Sequence, residues 1–403
     1  MESVIFIGTN KSGSSREAVK AAKKIGYETI LLTNNKKFLA NKWEFPDIDL
    51  MLYVSPVMDY EIVSKEITFL RHGERKIKAI LSFIEPYVYL AASLSVEFCS
   101  SSLSLEAIDI MEDKSLVRNV LRNSPVTPYF KILNNQSELE TFHFNTLPLV
   151  IKSPFSTGSK DVLLARTKEE LDLKVNQLLL KYPLDSLIVE EFLEGPQYLV
   201  EVIVKNGEIF IIGVIEQTIS EYERFIVTGY SFNPKNHELT EKVREVVQGI
   251  VEGIKLTNGS CHIELRLVNG TWKLIETNPR VSGGAMNRMI EIGTGINIAE
   301  ETIKLYAGES ISISNRFEKC VYTQYITVGQ KGRLLKVTGR ARAEALPGVQ
   351  EVYIKPKKGM TLKPPESMGD RYGYVIAAEH SIEAAKDIAL TAAKEIAFYL
   401  EPL

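Results

Sequence analysis

The sequence has few of the residues that mark secreted, disulfide-bonded or metal-cluster proteins. Its 403 residues include three cysteines, Cys99, Cys261 and Cys320, and this odd, widely spaced set predicts neither a disulfide framework nor a cysteine metal cluster. We expect the three to be small buried hydrophobic residues of a cytoplasmic protein. Residues 1–8 read as a short apolar strand without the basic start or cleavage site of a secretory signal.

The chain also lacks long apolar runs and a large excess of either charge. No apolar run reaches the about 20 residues that span a membrane. Lys and Arg total 48 against 51 for Asp and Glu, and a net charge of −3 is too balanced for holding nucleic acid by bulk positive charge. A hydrophobic share of 45% excludes a disordered chain. We therefore expect roughly two to four folded domains that bind neither nucleic acid nor membrane.

The first 110 residues alternate strands with helices. This order predicts a Rossmann-like parallel sheet in which ligands sit at the carboxyl ends of the strands. The predicted strands are 4–7, 29–32, 50–54 and 79–83, and the predicted helices are 15–25 and 60–70. The glycine-rich turn 8–13 lacks the full Gly-x-Gly-x-x-Gly spacing, and no acidic residue follows the second strand. A tight turn is therefore favoured, and a dinucleotide-dependent oxidoreductase is kept only as an alternative.

The rest of the chain mixes strands and helices as α+β proteins do. Asn206-Gly207 lies between two strand-like segments and predicts a hairpin. Apolar residues at helical spacing predict a helix over 239–255. A last α+β segment begins near residue 320 and is predicted to end in a helix over 381–400. The fold class we expect is therefore a multidomain combination of α/β and α+β.

The segment 260–278 reads as a second hairpin that carries acidic residues. Side chains alternate faces along a strand, so Glu264 shares a face with its second neighbours, and Glu276 lies on the returning strand. A plain two-residue turn at 269–270 would pair Glu264 with Ile275, one position out of register. We therefore predict a three-residue loop or a bulge that brings Glu264 opposite Glu276.

Paired carboxylates on adjacent strands repel unless a positive charge lies between them. Glu264 and Glu276, with the amide oxygen of Asn278, form the oxygen ligand set that Mg²⁺ prefers, and Arg280 adds a cation suited to a transferring phosphoryl group. The alternative is a solvated hairpin face with scattered charges. The combination Glu-x11-Glu-x-Asn-x-Arg, followed by Ser-Gly-Gly, favours the metal interpretation.

Two lysines are candidates for binding phosphate. Lys152 ends an apolar strand and precedes a small, polar, glycine-bearing loop that can close backbone N–H groups over phosphates. Lys114 follows Glu112-Asp113. The loop is not a Walker loop, and either lysine considered by itself reads as a surface charge.

Together these residues resemble the ATP-grasp superfamily in order and approximate spacing, over essentially the whole chain. The C-terminal stretch is similar to the closing domain of the L-amino acid ligases, which are dipeptide synthetases. The matching segments are Asp113-Lys114, the strand ending in Lys152, Ser156 to Ser159, Val189 to Gly195, Glu264 with Glu276 to Arg280, Gly332 to Val349 and Asp370 to Val375.

The resemblance implies domains and residue roles. The implied domains are an N-terminal Rossmann-like domain (1–110), an ATP-grasp small lobe with a phosphate loop (111–190), a large lobe with the magnesium hairpin (191–310) and a C-terminal ligase domain (311–403). The implied roles are phosphate binding by Lys114 and Lys152, a phosphate lid formed by Ser156, Thr157, Gly158 and Ser159, an adenine pocket formed by Glu190, Glu191, Phe192 and Leu193, Mg²⁺ ligation by Glu264, Glu276 and Asn278, and catalysis by Arg280 and Lys152. Many relatives hold the ribose with an acidic residue where this chain has Gln197.

Substrate contacts are expected between the N-terminal sheet and the acidic hairpin. Glu85, at the carboxyl end of a strand, is a candidate for an ammonium group, with a turn residue as the alternative. Backbone N–H groups of Ser282, Gly283 and Gly284 are candidates for the substrate carboxylate. His262 and Asp370 are further candidates, and His262 has a structural role as its alternative.

The resemblance implies an enzyme that uses ATP with Mg²⁺ (or Mn²⁺) to join two L-amino acids. One carboxylate takes the γ-phosphoryl group of ATP as an acyl phosphate, and the second amino acid displaces phosphate. Possession of the full acidic hairpin argues against a non-enzymatic ATP-binding regulator. Another ATP-grasp carboxylate–amine ligase, or a carboxylase, is the nearest alternative. A homodimer is the expected assembly, because two-fold dimers are the commonest closed form.

Overall fold

The computed structural model describes residues 1–73, 75–135, 137–140, 147–155, 161–183, 186–220 and 225–403. The predicted phosphate lid, Ser156 to Ser159, lies outside the described residues. Within the described part of the chain, none of the helices has the length and apolarity required to cross a bilayer.

The N-terminal sheet is parallel, as predicted. Its elements are β1 (Glu2–Ile7), α1 (Ser14–Lys24), β2 (Glu28–Thr33), α2 (Lys36–Ala40), β3 (Leu50–Tyr53), α3 (Tyr60–His72), β4 (Lys76–Leu81) and α4 (Val88–Cys99). The strand order is β3-β2-β1-β4. The middle strands β1 and β2 are almost entirely buried, which is why they read as unbroken apolar runs.

A small antiparallel sheet follows two short linking helices. The elements are α5 (Leu105–Glu112), α6 (Lys114–Val120), β5 (Phe130–Leu133), α7 (Ser137–Glu140), β6 (Leu149–Lys152), β7 (Val162–Ala165), α8 (Lys168–Lys181) and β8 (Leu187–Glu191). The strand order β5-β8-β6-β7 places β8 and β6 in the middle of the sheet. Lys152 and Glu190, one on each of these strands, are therefore carried on paired, rigid backbone.

The largest sheet is antiparallel and runs from the acidic hairpin into the C-terminal segment. The remaining elements are β9 (Gln197–Lys205), β10 (Glu208–Ile219), β11 (Val227–Phe232), α9 (His237–Gly253), β12 (Gly259–Val268), β13 (Thr271–Asn278), α10 (Met286–Thr294), α11 (Ile298–Tyr306), β14 (Cys320–Ile326), β15 (Gly332–Thr338), α12 (Arg340–Glu344), β16 (Val349–Ile354), β17 (Thr361–Leu362), β18 (Gly373–Glu379), α13 (Ile382–Glu395) and β19 (Ala397–Pro402). The strand order is β13-β12-β9-β10-β11-β14-β18-β16. This sheet contains strands from both sides of the predicted domain boundary at residue 311. The domain boundaries therefore stay a prediction.

The predicted hairpin at Asn206-Gly207 and the predicted helix over 239–255 are both present. The turn joins β9 to β10, and both of its residues adopt positive φ. Helix α9 buries the predicted apolar face, at Val243, Val247, Ile250 and Val251.

The predicted final helix over 381–400 is wrong in its last turn and a half. Helix α13 begins after the Ser381 cap and ends at Glu395, and the following residues form β19, which pairs with β15 in a three-stranded sheet with β17. Phe398 and Leu400 pack on the apolar cluster that contains Leu334. Tertiary pairing of an aromatic-rich segment therefore overrides the helical pattern of the preceding alanines.

The N-terminal sheet and the largest sheet share one apolar core. Residues of β1 and α1, such as Phe6 and Val19, belong to the same buried cluster as Met286, Ile290 and Ile303 from α10 and α11. This shared core holds the carboxyl ends of the N-terminal strands against the turn that follows β13.

Candidate active site

A cavity of about 280 Å³ lies between the small sheet and the largest sheet. Its walls come from both sheets, from the end of the N-terminal sheet and from the segment before β18. The predicted residues that line it are Glu85, Lys114, Lys152, Glu190, Glu191, Phe192, Leu193, Gln197, His262, Glu264, Glu276, Asn278, Arg280, Ser282, Gly283 and Gly284. Residues that are far apart in the sequence thus converge on one enclosed space.

The acidic hairpin has the predicted pairing. Asn269 and Gly270 form a two-residue turn, and a bulge at Ile275 shifts the register so that Glu264 lies opposite Glu276. The bulge is therefore the feature that brings the two carboxylates to one face. His262 lies on the same face, and one ligand atom from each of His262, Glu264 and Glu276 lies within 4.8 Å of the others.

Electrostatics of the two glutamates differ. Burial, and then the charge of Glu276, raises the pKa of Glu264. Burial also acts to raise the pKa of Glu276, but the charges of Lys114 and Lys152 and the contacts with His262 and Asn278 together outweigh it and lower that pKa. The Lys114 Nζ atom lies 3.4 Å from a Glu276 carboxylate oxygen. Amide groups of Gln197 and Gln217 donate to Glu264 over 3.0 and 3.3 Å. Converging carboxylate oxygens of this kind fit a hard divalent cation such as Mg²⁺.

His262 links two of the predicted site residues. Its Nδ1 atom lies 2.9 Å from the Arg280 carbonyl oxygen, which can only accept, so Nδ1 carries the hydrogen. Its Nε2 atom then accepts from the Asn278 amide over 3.1 Å. Burial, and then the charge of Arg280, lowers the pKa of His262 to about 4 and keeps the ring neutral at physiological pH. His262 therefore orients Asn278, whose amide also donates to Glu276 over 3.2 Å.

Lys152 belongs to a buried group of charges that sequence analysis did not find. Its Nζ atom contacts Glu190, and Glu190 also accepts from Arg118 over 2.9 Å. Arg118 further donates to the carbonyl oxygens of Leu274 and Ile275, over 3.0 and 2.7 Å. Because Ile275 is the bulged residue, this group connects the small sheet to the acidic hairpin.

Gln197, the candidate for ribose binding, has its amide occupied by protein contacts. Its nitrogen donates to Gln217 as well as to Glu264, and its oxygen accepts from Arg266. Arg266 also donates to the carbonyl oxygen of Leu193 over 2.6 Å. These contacts join the carboxylate site to the segment between β8 and β9, and ribose binding by Gln197 stays a prediction.

The predicted substrate residues Glu85, Ser282, Gly283 and Gly284 also line the cavity. Glu85 accepts from Arg280 over 3.0 Å. The turn from Ser282 to Gly284 is held by buried Glu201, which accepts from the backbone N–H of Ser282 over 3.1 Å and whose pKa burial raises to about 7. Gly13 packs against Gly284, so the glycine-rich N-terminal turn supports this loop and does not line the cavity.

Asp370 is the one described candidate that does not line the cavity. Its carboxylate accepts from the backbone N–H groups of Glu366 and Ser367, both over 3.0 Å, and caps a short turn. The described contacts therefore give no support to its predicted substrate role. The adjacent Arg371 lines the cavity instead.

Arg118, Gln217 and Arg371 are among the lining or supporting residues that the sequence did not reveal. Arg118 and Gln217 lie outside the matching motifs, and Arg371 lies within the segment Asp370 to Val375 but had no assigned role. One sequence signal could have revealed Arg118: it follows Lys114 by four residues, so the two side chains share one face of a helix.

Comparison with known proteins decides the fold. Residues 111–284 match the ATP-grasp domain family, and residues 324–401 match the family of L-amino acid ligase C-terminal domain 2. The chain therefore has an ATP-grasp fold and resembles the L-amino acid ligases. A crystal structure of L-amino acid ligase from Bacillus licheniformis superposes with a TM-score of 0.84 at 18% identity and covers 100% of this chain and 99% of that one.

Two further matches extend over the whole of this chain. Phosphoribosylglycinamide synthetase from Anaerococcus prevotii superposes with a TM-score of 0.77 at 18% identity, with 100% of both chains covered. The uncharacterized protein y4rH of Sinorhizobium fredii is 24% identical over 413 residues, which cover 100% of this chain and 84% of that protein. At these identities the likeness establishes the fold, and the choice of substrates rests on the site.

Proposed function

We propose that this chain is an ATP- and magnesium-dependent ligase that joins two L-amino acids into a dipeptide, with release of ADP and phosphate. The observation that carries the proposal is the cavity itself. It brings the Glu264–Glu276 pair, two lysines and Arg280 to one space between two sheets. The L-amino acid ligase match at the C-terminus supports two amino acids as the substrates.

In the first step, an oxygen of the acid substrate attacks the γ-phosphorus atom of ATP. The bond from that phosphorus atom to the bridging oxygen breaks, and ADP leaves with the electron pair. This reaction demands alignment and charge neutralisation more than covalent help from protein. Lys114 and Lys152 supply fixed positive charge for the phosphate oxygens, because both side chains line the cavity.

In the second step, the amine of the second amino acid attacks the carbonyl carbon of the acyl phosphate. The carbonyl oxygen becomes negatively charged, then the bond to phosphate breaks and the amine loses a proton. Arg280 is placed to stabilise this charge, because Glu85 holds its guanidinium within the cavity at 3.0 Å. Closure between the two sheets would exclude water from the acyl phosphate.

Glu264, Glu276 and Asn278 would hold the magnesium ion, with His262 keeping the Asn278 amide in place. When bound, the ion supplies Lewis-acid charge to the phosphate oxygens. The remaining work of binding and orientation falls to the side chains described above.

The test is a matrix of amino acid pairs with ATP and Mg²⁺, in which phosphate release and product mass are measured together. We expect ADP, phosphate and a dipeptide for a subset of pairs. Glu276→Ala should abolish Mg²⁺-dependent ADP release with an unchanged circular dichroism spectrum. ADP formation only with a non-amino-acid amine, or only with bicarbonate, would replace the dipeptide proposal with another ligase or a carboxylase. Binding of ATP without turnover under every condition would instead indicate a regulator.

Two further parts of the proposal concern the protein's setting. We propose a cytoplasmic location and a homodimer. Light scattering on the purified chain would test the homodimer. A molar mass of one chain, 45.3 kDa, at micromolar concentration would contradict the dimer.

A further inference from the structure

Arg371 presents a positive charge in the part of the cavity wall that the segment before β18 forms. Its guanidinium carbon lies 3.7 Å from the centroid of the Tyr325 ring. Its Nε and Nη1 atoms donate to the carbonyl oxygens of Met368 and Val227, each over 3.2 Å. Among the residues that the structure describes, no carboxylate oxygen lies within 4.0 Å of this guanidinium.

This environment differs from that of the three cations to which the proposed mechanism gives roles. Lys114 and Arg280 contact the carboxylates of Glu276 and Glu85, over 3.4 and 3.0 Å. Lys152 contacts Glu190. The carboxylate of Asp370 is directed into its own turn and does not neutralise the neighbouring arginine. A positive charge therefore faces this part of the cavity, and a charge in a low-dielectric space favours an anionic ligand.

The surroundings suit a small carboxylate. Arg371 lies beside the Tyr230 hydroxyl, and its Nη2 atom lies 4.0 Å from the position that a side-chain carbon on Gly284 would take. The Tyr325 hydroxyl lies 2.7 Å from that same position, so this hydroxyl fills the space beside Gly284. The N–H groups of Arg371 that do not reach Met368 and Val227 can point into the cavity that Arg371 lines, where a carboxylate could accept two hydrogen bonds.

The position of Tyr230 sets the distance from the reacting centre. Tyr230 pairs directly with Gln217 on the neighbouring strand, and Gln217 donates to Glu264. Glu264 lies on β12 and Tyr230 on β11, three strand spacings apart in the sheet, or roughly 14 Å at about 4.8 Å for each spacing. Gln217 and Tyr230 both line the cavity along this interval, so an amine substrate with its carboxylate at Arg371 would extend from there towards the carboxylate pair.

We propose that Arg371, with the Tyr230 hydroxyl, binds the carboxylate of the amine substrate, the one that does not react. This inference rests on the proposed ligase function and extends it by naming the group that the second substrate must carry. The carboxylate is either the α-carboxylate or an acidic side chain of that amino acid, since both have the same chemistry.

The test compares carboxylates with their neutral amides in wild type and in Arg371→Met. For pairs that turn over, KM and kcat of the amine substrate are measured for L-amino acids, for their α-amides, and for L-glutamate against L-glutamine. Wild type should show a KM about tenfold to a hundredfold higher for one class of amide, the range expected for a charged hydrogen-bonded contact. In Arg371→Met this difference should fall below threefold, with a smaller change in kcat.

Two variants guard against a purely structural effect. Arg371→Lys keeps the positive charge but has no planar pair of donors, so it should retain part of the discrimination. Arg340→Met removes an exposed arginine paired only with Glu344 and should behave as wild type. Melting curves of all variants report whether the fold persists.

The outcomes separate the two proposals. If Arg371→Met loses the KM difference between L-amino acids and their α-amides, Arg371 binds the α-carboxylate of the amine substrate. If it loses only the KM difference between L-glutamate and L-glutamine, Arg371 binds the side-chain carboxylate. Discrimination that survives in folded Arg371→Met overturns the subsite. If no pair turns over, the ligase proposal fails, and calorimetric titration with L-alanine and L-glutamate and their α-amides still tests Arg371. Equal binding of acid and amide by wild type would then overturn the subsite as well.

Discussion

Glu190→Gln is a nearly isosteric change that removes one negative charge from the buried group formed by Arg118, Lys152 and Glu190. The glutamate side chain is about 5% exposed, and the two cations are 1% and 7% exposed. Glutamine keeps the volume and one acceptor oxygen, so packing is retained. The two cations are left facing each other without their shared counter-charge, and burial, together with the positive charge of Arg118, already lowers the pKa of Lys152. Loss of one partner of a buried ion pair costs about 3–5 kcal/mol, and we expect a loss of stability in that range.

The assay is urea unfolding followed by the fluorescence of Trp272 in a Trp43→Phe background. The chain has two tryptophans, and Trp43 is 76% exposed, whereas Trp272 lies on β13 close to the bulge that Arg118 contacts. The matched control is Glu191→Gln on the same strand. Glu191 is half-buried and accepts from the Tyr129 N–H over 2.9 Å, a contact that glutamine can replace, so its variant should lose less than about 1 kcal/mol.

A second substitution makes the reasoning sharper. Adding Arg118→Met to Glu190→Gln removes one of the two opposed cations and should restore part of the lost stability. A double variant that is less stable by the sum of the two single effects would refute this electrostatic account. So would a Glu190→Gln variant within about 1 kcal/mol of wild type.

Three other predictions follow from the geometry. Arg280→Ala should lower turnover by about 10²–10³, the usual effect of losing one donor to the transition state, and unchanged turnover would contradict its assigned role. Burial raises the pKa of Glu17 to about 7 from 4.5, so folding favours the protonated form and stability falls as pH rises through this window. Glu17→Gln should therefore be more stable than wild type by up to about 3 kcal/mol at pH 8 and equal to it below pH about 4, as thermal melts would show. Gly195→Ala should destabilise the chain by about 2 kcal/mol or more, because a Cβ atom at φ 139° would lie 2.1 Å from the Leu267 carbonyl oxygen. Gly249→Ala, in a helix with open space around it, should be neutral or stabilising by up to about 1 kcal/mol in the same urea assay.

Local patterns were enough to predict the acidic hairpin. Strand alternation and the distance between Glu264 and Glu276 required one extra residue, and the structure contains it as the bulge at Ile275. Register within a hairpin depends on neighbouring residues only, so it can be inferred from a single sequence. The N-terminal parallel sheet could also be predicted from local sequence, because its buried strands are continuous apolar runs.

The rest of the site depends on contacts between distant segments. Arg118 reaches Glu190 across 72 positions, and Arg280 reaches Glu85 across 195. No periodicity or spacing links residues so far apart. The same limit explains the final helix. Residues 397–400 follow directly on an alanine-rich helical segment and were predicted to extend it, but pairing with β15 makes them part of a strand.

By itself, the sequence determined the alternating N-terminal strands and the register of the acidic hairpin. These follow from composition and from interactions among near neighbours. Tertiary structure alone decided that Lys152 shares Glu190 with Arg118, and that Arg371 and not Asp370 faces the cavity. The physical reason is that a buried charge takes its partner from whichever element packing brings within hydrogen-bonding distance.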